Sequence, residues 1–165
     1  MKFTKFFFLK IIDNLYTAKS PSKMKDEVYI DLNGKTVKVL IEVSGHITGS
    51  PIVFPSIGGS DLYYNVLIPF EVYRYFLIKN SDALSFVIAH EFGHIMNGDF
   101  EPGIKNIIKR IRKIKTECEA DAFAYHAVGY DLCVAGLSIL KKMSGDGIVS
   151  SIRLKNIENL RSNER

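Results

Sequence analysis

The chain predicts an α+β fold, a small and mainly antiparallel sheet packed against a layer of helices. Two short runs, Val28–Leu32 and Thr36–Val43, flank Asn33-Gly34. That dipeptide suits the two positive-φ positions of a tight hairpin turn. Further along, the apolar run Ala83–Ala89 and isoleucines at 104, 107, 108, 111 and 114 recur at helical spacing. A length of 165 residues with a 47% apolar share fits one domain, 1–165, with its own core.

The elements follow in order. Residues 2–18 read as an amphipathic helix rather than a signal peptide: the basic start and Ala18 are suggestive, but Lys10 interrupts the apolar stretch and Asp13-Asn14 end it. Residues 19–26, with Ser20-Pro21-Ser22, read as a linker. The hairpin comes next, then strands near 51–55 and 63–68, and a short helix over Glu71–Ile78. A nearly all-apolar helix spans about 82–97, with Ser81-Asp82 as its start signal and Asn97-Gly98 as its stop. A loop over Gly98–Gly103 leads to a basic amphipathic helix, 104–115. Its six cations, Lys105, Lys109, Arg110, Arg112, Lys113 and Lys115, have no acid among them. A helix over 131–143 and a polar tail, 144–165, partly helical at 148–161, complete the chain.

Within the apolar helix lies His90-Glu91-Phe92-Gly93-His94, an HExxH sequence. Histidines four apart share one helix face and can grip one metal ion, and the intervening glutamate can handle a proton from a bound water. This is the pattern of a zinc hydrolase, most often a protease acting on a polypeptide, with Glu91 as the base and one Zn2+ per chain. A third ligand is required. Glu117 and Asp121 fall one turn apart on one face of a helix that also carries Ala120, small enough for two helices to approach closely. Glu117 is read as the ligand. Asp121 is read as the carboxylate that accepts a ligand histidine's outer N–H. Glu119, roughly 160° from Asp121 around the helix, stays open as the alternative ligand. The oxyanion donor is sought among Tyr125, His126 and Tyr130. His46 reads as a loop or strand-end residue.

HExxH followed by a Glu-x-x-Ala-Asp helix resembles the gluzincin metallopeptidases. The resemblance is closer to the catalytic core of the CAAX prenyl protease and heat-shock membrane protease group and to its small relatives, the minigluzincins. It covers about 38–143, with weaker matches at Ser50–Gly59 and Tyr64–Pro69. It implies a zinc endopeptidase with ligands His90, His94 and Glu117. It also implies a substrate-binding rim along Ile52, Val53 and Phe54. The membrane members carry several spanning helices, whereas no run here reaches the roughly 18 apolar residues a span requires. Repressor-cleaving and stress-response metalloproteases share the same core. Two other readings therefore stand beside a general protease: a regulatory protease specific for one partner, and a metal-binding module without catalysis.

Charge and cysteines narrow the setting. The net charge is +4, concentrated in 104–115. A solvated helix face is the plain account of those cations, and peripheral contact with an anionic surface is the sharper one. Nothing marks base-reading residues, so no nucleic-acid specificity is expected. Two cysteines, Cys118 and Cys133, make no disulfide framework, which fits a reducing cytoplasm better than a secreted setting.

Overall fold

The computed structural model describes residues 3–18, 24–58, 61–99, 108–145 and 147–164. Helix α1 (Lys5–Tyr16) starts at Thr4, whose hydroxyl accepts from the Phe7 N–H at 3.4 Å. It turns Phe8, Ile11, Ile12 and Leu15 inward. Four strands follow: β1 (Lys25–Leu32), β2 (Lys35–Ser44), β3 (Ile52–Gly58) and β4 (Asp61–Pro69). The first two form the expected hairpin. Asn33 and Gly34 sit at φ 54° and 79°, and the Asp31 carboxylate accepts from the Gly34 N–H.

The sheet is mixed. Its order is β1-β2-β4-β3, with antiparallel pairs at both sides and a parallel pair, β2 with β4, at its centre. Turn residues announce the antiparallel neighbours. The parallel pair arises because the chain leaves β2, skips one position to lay down β3 at the edge, and returns through β4 into the gap. No local pattern encodes that return. One face of the sheet supplies core: Val37, Val39, Ile41 and Val43 from β2, and Tyr64, Val66 and Ile68 from β4. The other face mixes charged and apolar side chains: Lys25 pairs with Glu42 at 2.8 Å and Lys38 lies over the Tyr63 ring, beside Leu40 and Leu67.

Helix α2 (Phe70–Lys79) follows β4 directly and buries Val72, Tyr73 and Phe76. A single 3₁₀ turn, Ser81–Ala83, then opens α3 (Leu84–Asn97). The cap is therefore not Ser81 or Asp82 as expected. Asn80, in extended conformation, accepts from the Ala83 N–H at 3.2 Å, because the extra turn moves the first unpaired N–H groups upstream. Nearly every residue of α3 is buried. Its Phe92 meets Phe8 of α1 edge to face, with ring centroids 5.4 Å apart. Residues 100–107, and with them most of the expected loop and the start of the basic segment, lie outside the described residues.

Helix α4 (Ile108–Val128) carries the end of the basic segment and the acidic motif as one element. Helix α5 (Tyr130–Ser144) starts one residue earlier than its pattern suggested. Helix α6 (Gly147–Asn163) occupies the stretch read as a polar tail; it buries Ile157 completely and lies against α4 and α5. No helix among the described residues is long and apolar enough to cross a membrane.

Two glycines set how closely helices approach α3. A methyl group at Gly136 would collide with the Phe86 ring, so α5 needs a glycine there. At Gly93 a Cβ would lie 2.8 Å from Ala120 Cα and 2.9 Å from Ala120 O, both backbone atoms that cannot swing away. The Gly93→Ala variant should therefore force α3 and α4 apart and lose about 1–3 kcal/mol in urea denaturation. An unchanged midpoint would show that the two backbones are not in contact.

Candidate metal centre

Helix α3 places His90 and His94 one turn apart, with their Nε2 atoms 3.2 Å from each other. Helix α4, held close at Gly93 and Ala120, brings Glu117 opposite them. Its Oε2 lies 3.3 Å from His90 Nε2, and its Oε1 lies 3.9 Å from His94 Nε2. One donor atom from each of the three falls within 4.8 Å of the others, so this set can hold a metal ion. Two imidazoles and a carboxylate are a donor set suited to zinc, with room left for a further ligand. Glu119 points away and pairs with Lys115 at 3.5 Å on the exposed side of α4.

A second ring of carboxylates holds the histidines. Asp121, fully buried one turn after Glu117, accepts from His90 Nδ1 at 2.9 Å. With Nδ1–H held on Asp121, Nε2 is the ring nitrogen turned towards Glu117; it shares a proton with that carboxylate in the metal-free protein and is the atom a metal ion would take. Asp99 faces His94 in the same way, with Oδ2 at 2.7 Å from Nδ1.

Arg153 of α6 reaches into this cluster. Its Nε and Nη2 both donate to Asp121 at 2.7 Å, a two-point fork, and its Nη1 lies 3.1 Å from Glu117 Oε2. Nη2 also rests 3.2 Å from His90 Nδ1. The Asn156 amide, one turn on, donates to the Cys118 carbonyl, which keeps α6 seated on α4. A buried carboxylate without a countercharge is costly, and Arg153 supplies one to Asp121 and Glu117 together.

These contacts shift the titrating groups. Burial raises the Glu117 carboxyl, but its hydrogen bond to His90 and the nearby Arg153 outweigh this and bring it from 4.5 to about 2. Burial opposes ionisation of Asp121 too, yet bonds from Arg153 and His90 lower it from 3.8 to about 2. Burial and Arg153 disfavour a charged His90, but its bonds to Asp121 and Glu117 win and lift it from 6.5 to about 9. Glu91 is 5% exposed, and burial raises its carboxyl above the usual range despite the adjacent histidines.

The site opens into a cavity of about 1020 Å³. His90, Glu91, His94, Glu117 and Arg153 line it at the centre, and Ile52 and Val53 of β3 line one wall. Of the expected rim, Phe54 is partly exposed and stands outside this wall. The three candidate oxyanion donors lie elsewhere. Tyr125 donates to Glu164 at 2.6 Å, His126 faces Glu164 at 3.5 Å, and Tyr130 lies under the Arg161 guanidinium at 4.1 Å. Together they tie the far end of α4 and the start of α5 to the end of α6. His46 is an exposed residue beyond β2.

Asp99 and Arg153 were not apparent from the sequence. Asp99 lies just past the Asn97-Gly98 stop, which could have directed attention to it, whereas Arg153 sits in a stretch without apolar periodicity and carried no signal.

The shifted groups give the metal-free protein a definite pH response. Glu117 and Asp121 are depressed, so their contribution to stability is complete above their unfolded values, 4.5 and 3.8, and is lost as pH falls towards about 2. His90 is raised, so its contribution is complete below 6.5 and is lost as pH rises through about 9. Glu91, raised by burial, offsets part of the acid limb. With chelator present, Tm should therefore be highest between about pH 4.5 and 6.5. The Asp121→Asn variant should flatten both limbs, and identical profiles for the two proteins would contradict the coupling.

No family model matches the chain, and neither a curated protein nor a solved structure does. The side chains of this cluster therefore carry the functional reading by themselves.

Proposed function

We propose that the protein is a metal-dependent endopeptidase, with zinc the favoured ion, acting on an extended polypeptide. The observation that carries this reading is Glu91. A metal held only for structure has no use for a buried carboxylate next to a ligand histidine, facing an open cavity. The resemblance to the gluzincins and minigluzincins fits the same residues.

His90, His94 and Glu117 would hold the ion. When bound, the ion would supply a Lewis acid and lower the pKa of an attacking water. Glu91 would accept that water's proton on its carboxylate and return it to the leaving amine nitrogen. Burial, which raises its proton affinity, suits both halves of the task. Asp121, clamped by Arg153, keeps His90 in the tautomer that presents Nε2. Arg153 acts as a positioning residue, holding the ionised Glu117 and Asp121 in place.

The substrate would bind along β3. Among the described residues this strand pairs with β4 on one side only, so its other edge would offer backbone groups to an added strand. Ile52 and Val53 bring that edge to the cavity wall. An extended chain paired there passes the cluster with its carbonyls presented in turn.

Wild type and Glu91→Gln, matched for zinc content, should be compared by mapping new N-termini in a cell extract. Cleavage should appear with wild type and fall by about 10²–10⁴-fold in the variant, the usual worth of a positioned general base. Equal patterns from two fully zinc-loaded proteins would sink the protease reading and leave a metal-binding module.

A further inference from the structure

Asp121 orients His90 as its place on the acidic helix face suggests, but the second histidine needs its own holder. We propose that Asp99 is the positioning residue for His94 and that it sets the affinity of the centre, an inference that rests on the metal-binding reading above.

Three observations converge on it. The first is the ring contact, Asp99 Oδ2 at 2.7 Å from His94 Nδ1. The second is the backbone. Helix α3 ends at Gly98 in the left-handed region, φ 70° and ψ 34°. The Gly98 N–H then donates to the Ile95 carbonyl and the Asp99 N–H to the His94 carbonyl, each at 3.2 Å. This paired closure returns the chain over the last turn. Asp99 thus grips the same residue twice, its backbone on the His94 carbonyl and its side chain on the His94 ring. Glycine at 98 is what permits the reversal, since other residues rarely adopt that φ.

The third observation is the asymmetry between the two carboxylates. Asp121 is bound by the Arg153 fork, which neutralises much of its charge. Asp99, among the described residues, has His94 as its charged partner and shows no arginine or lysine bond. A carboxylate shared with a guanidinium draws less strongly on the histidine proton than one that is not. His94 therefore has a holder of its own, separate from the Arg153 cluster that holds His90. The turn after α3 works as part of the centre, and the Asn97-Gly98-Asp99 sequence is its local code.

The test uses the full chain with Asp99→Ala and Asp99→Asn. The backbone bonds that end α3 do not involve the Asp99 side chain, so both variants should keep the wild-type circular dichroism. Zinc affinity is measured by competition with a chromophoric chelator. The His94 tautomer is read from imidazole ¹⁵N shifts in the metal-free protein. Asp99→Ala should weaken zinc binding about 10–100-fold and release His94 from the Nδ1–H form. Asp99→Asn, which keeps an acceptor oxygen but no charge, should hold the tautomer and recover part of the affinity. Zinc affinity within about twofold of wild type in the alanine variant would overturn the proposal. So would an unaltered tautomer. If wild type itself takes up no zinc, the metal reading fails, and the tautomer data still decide whether Asp99 holds the ring.

Discussion

The contact between Gly93 and Ala120 governs the rest of the molecule's working part. His90 and His94 belong to one helix and Glu117 and Asp121 to another, and neither pair has use without the other. A methyl group at Gly93 would meet the backbone of α4. Because Gly93 has no side chain, the backbone of α4 fills that space, and the two axes come close enough for Glu117 to reach both imidazoles and for Asp121 to reach the back of one. A glycine inside a helix costs about 0.5–1 kcal/mol relative to alanine. That cost is accepted at the position where two helices must almost touch.

Close approach creates an electrostatic problem, which α6 relieves. Bringing Glu91, Glu117 and Asp121 into a shared interior concentrates negative charge away from water. Arg153 answers two of these acids with one planar fork and so fixes their directions as well as their charge. The far ends of the helices are secured separately, by Tyr125 and His126 on Glu164 and by Arg161 over Tyr130. Residues that looked like candidates for chemistry thus serve to seat the last helix. That helix reaches the cluster through Arg153, which pairs with Glu117 and Asp121.

The sheet's contribution is an edge. Because β4 returns between β2 and β3, the strand nearest the cavity has, among the described residues, one unpaired side rather than two neighbours. The same crossover carries the loop after β2 across the end of the sheet, so Gly49 to Val53 line the cavity wall.

The sequence by itself determined what depends on local period and local turns. The hairpin at Asn33-Gly34 follows from two positive-φ positions. The shared faces of His90 with His94 and of Glu117 with Asp121 follow from 3.6 residues per turn. Only the tertiary structure decided the parallel pairing of β2 with β4, the arrival of Arg153 from 32 residues beyond Asp121, and the diversion of Tyr125, His126 and Tyr130 towards α6. These depend on which helix faces pack and on where a strand re-enters the sheet. Contacts between distant segments leave no period in the chain. Asp99 lies between the two cases: it is five residues from His94, but it reaches the imidazole because Gly98 turns the chain back.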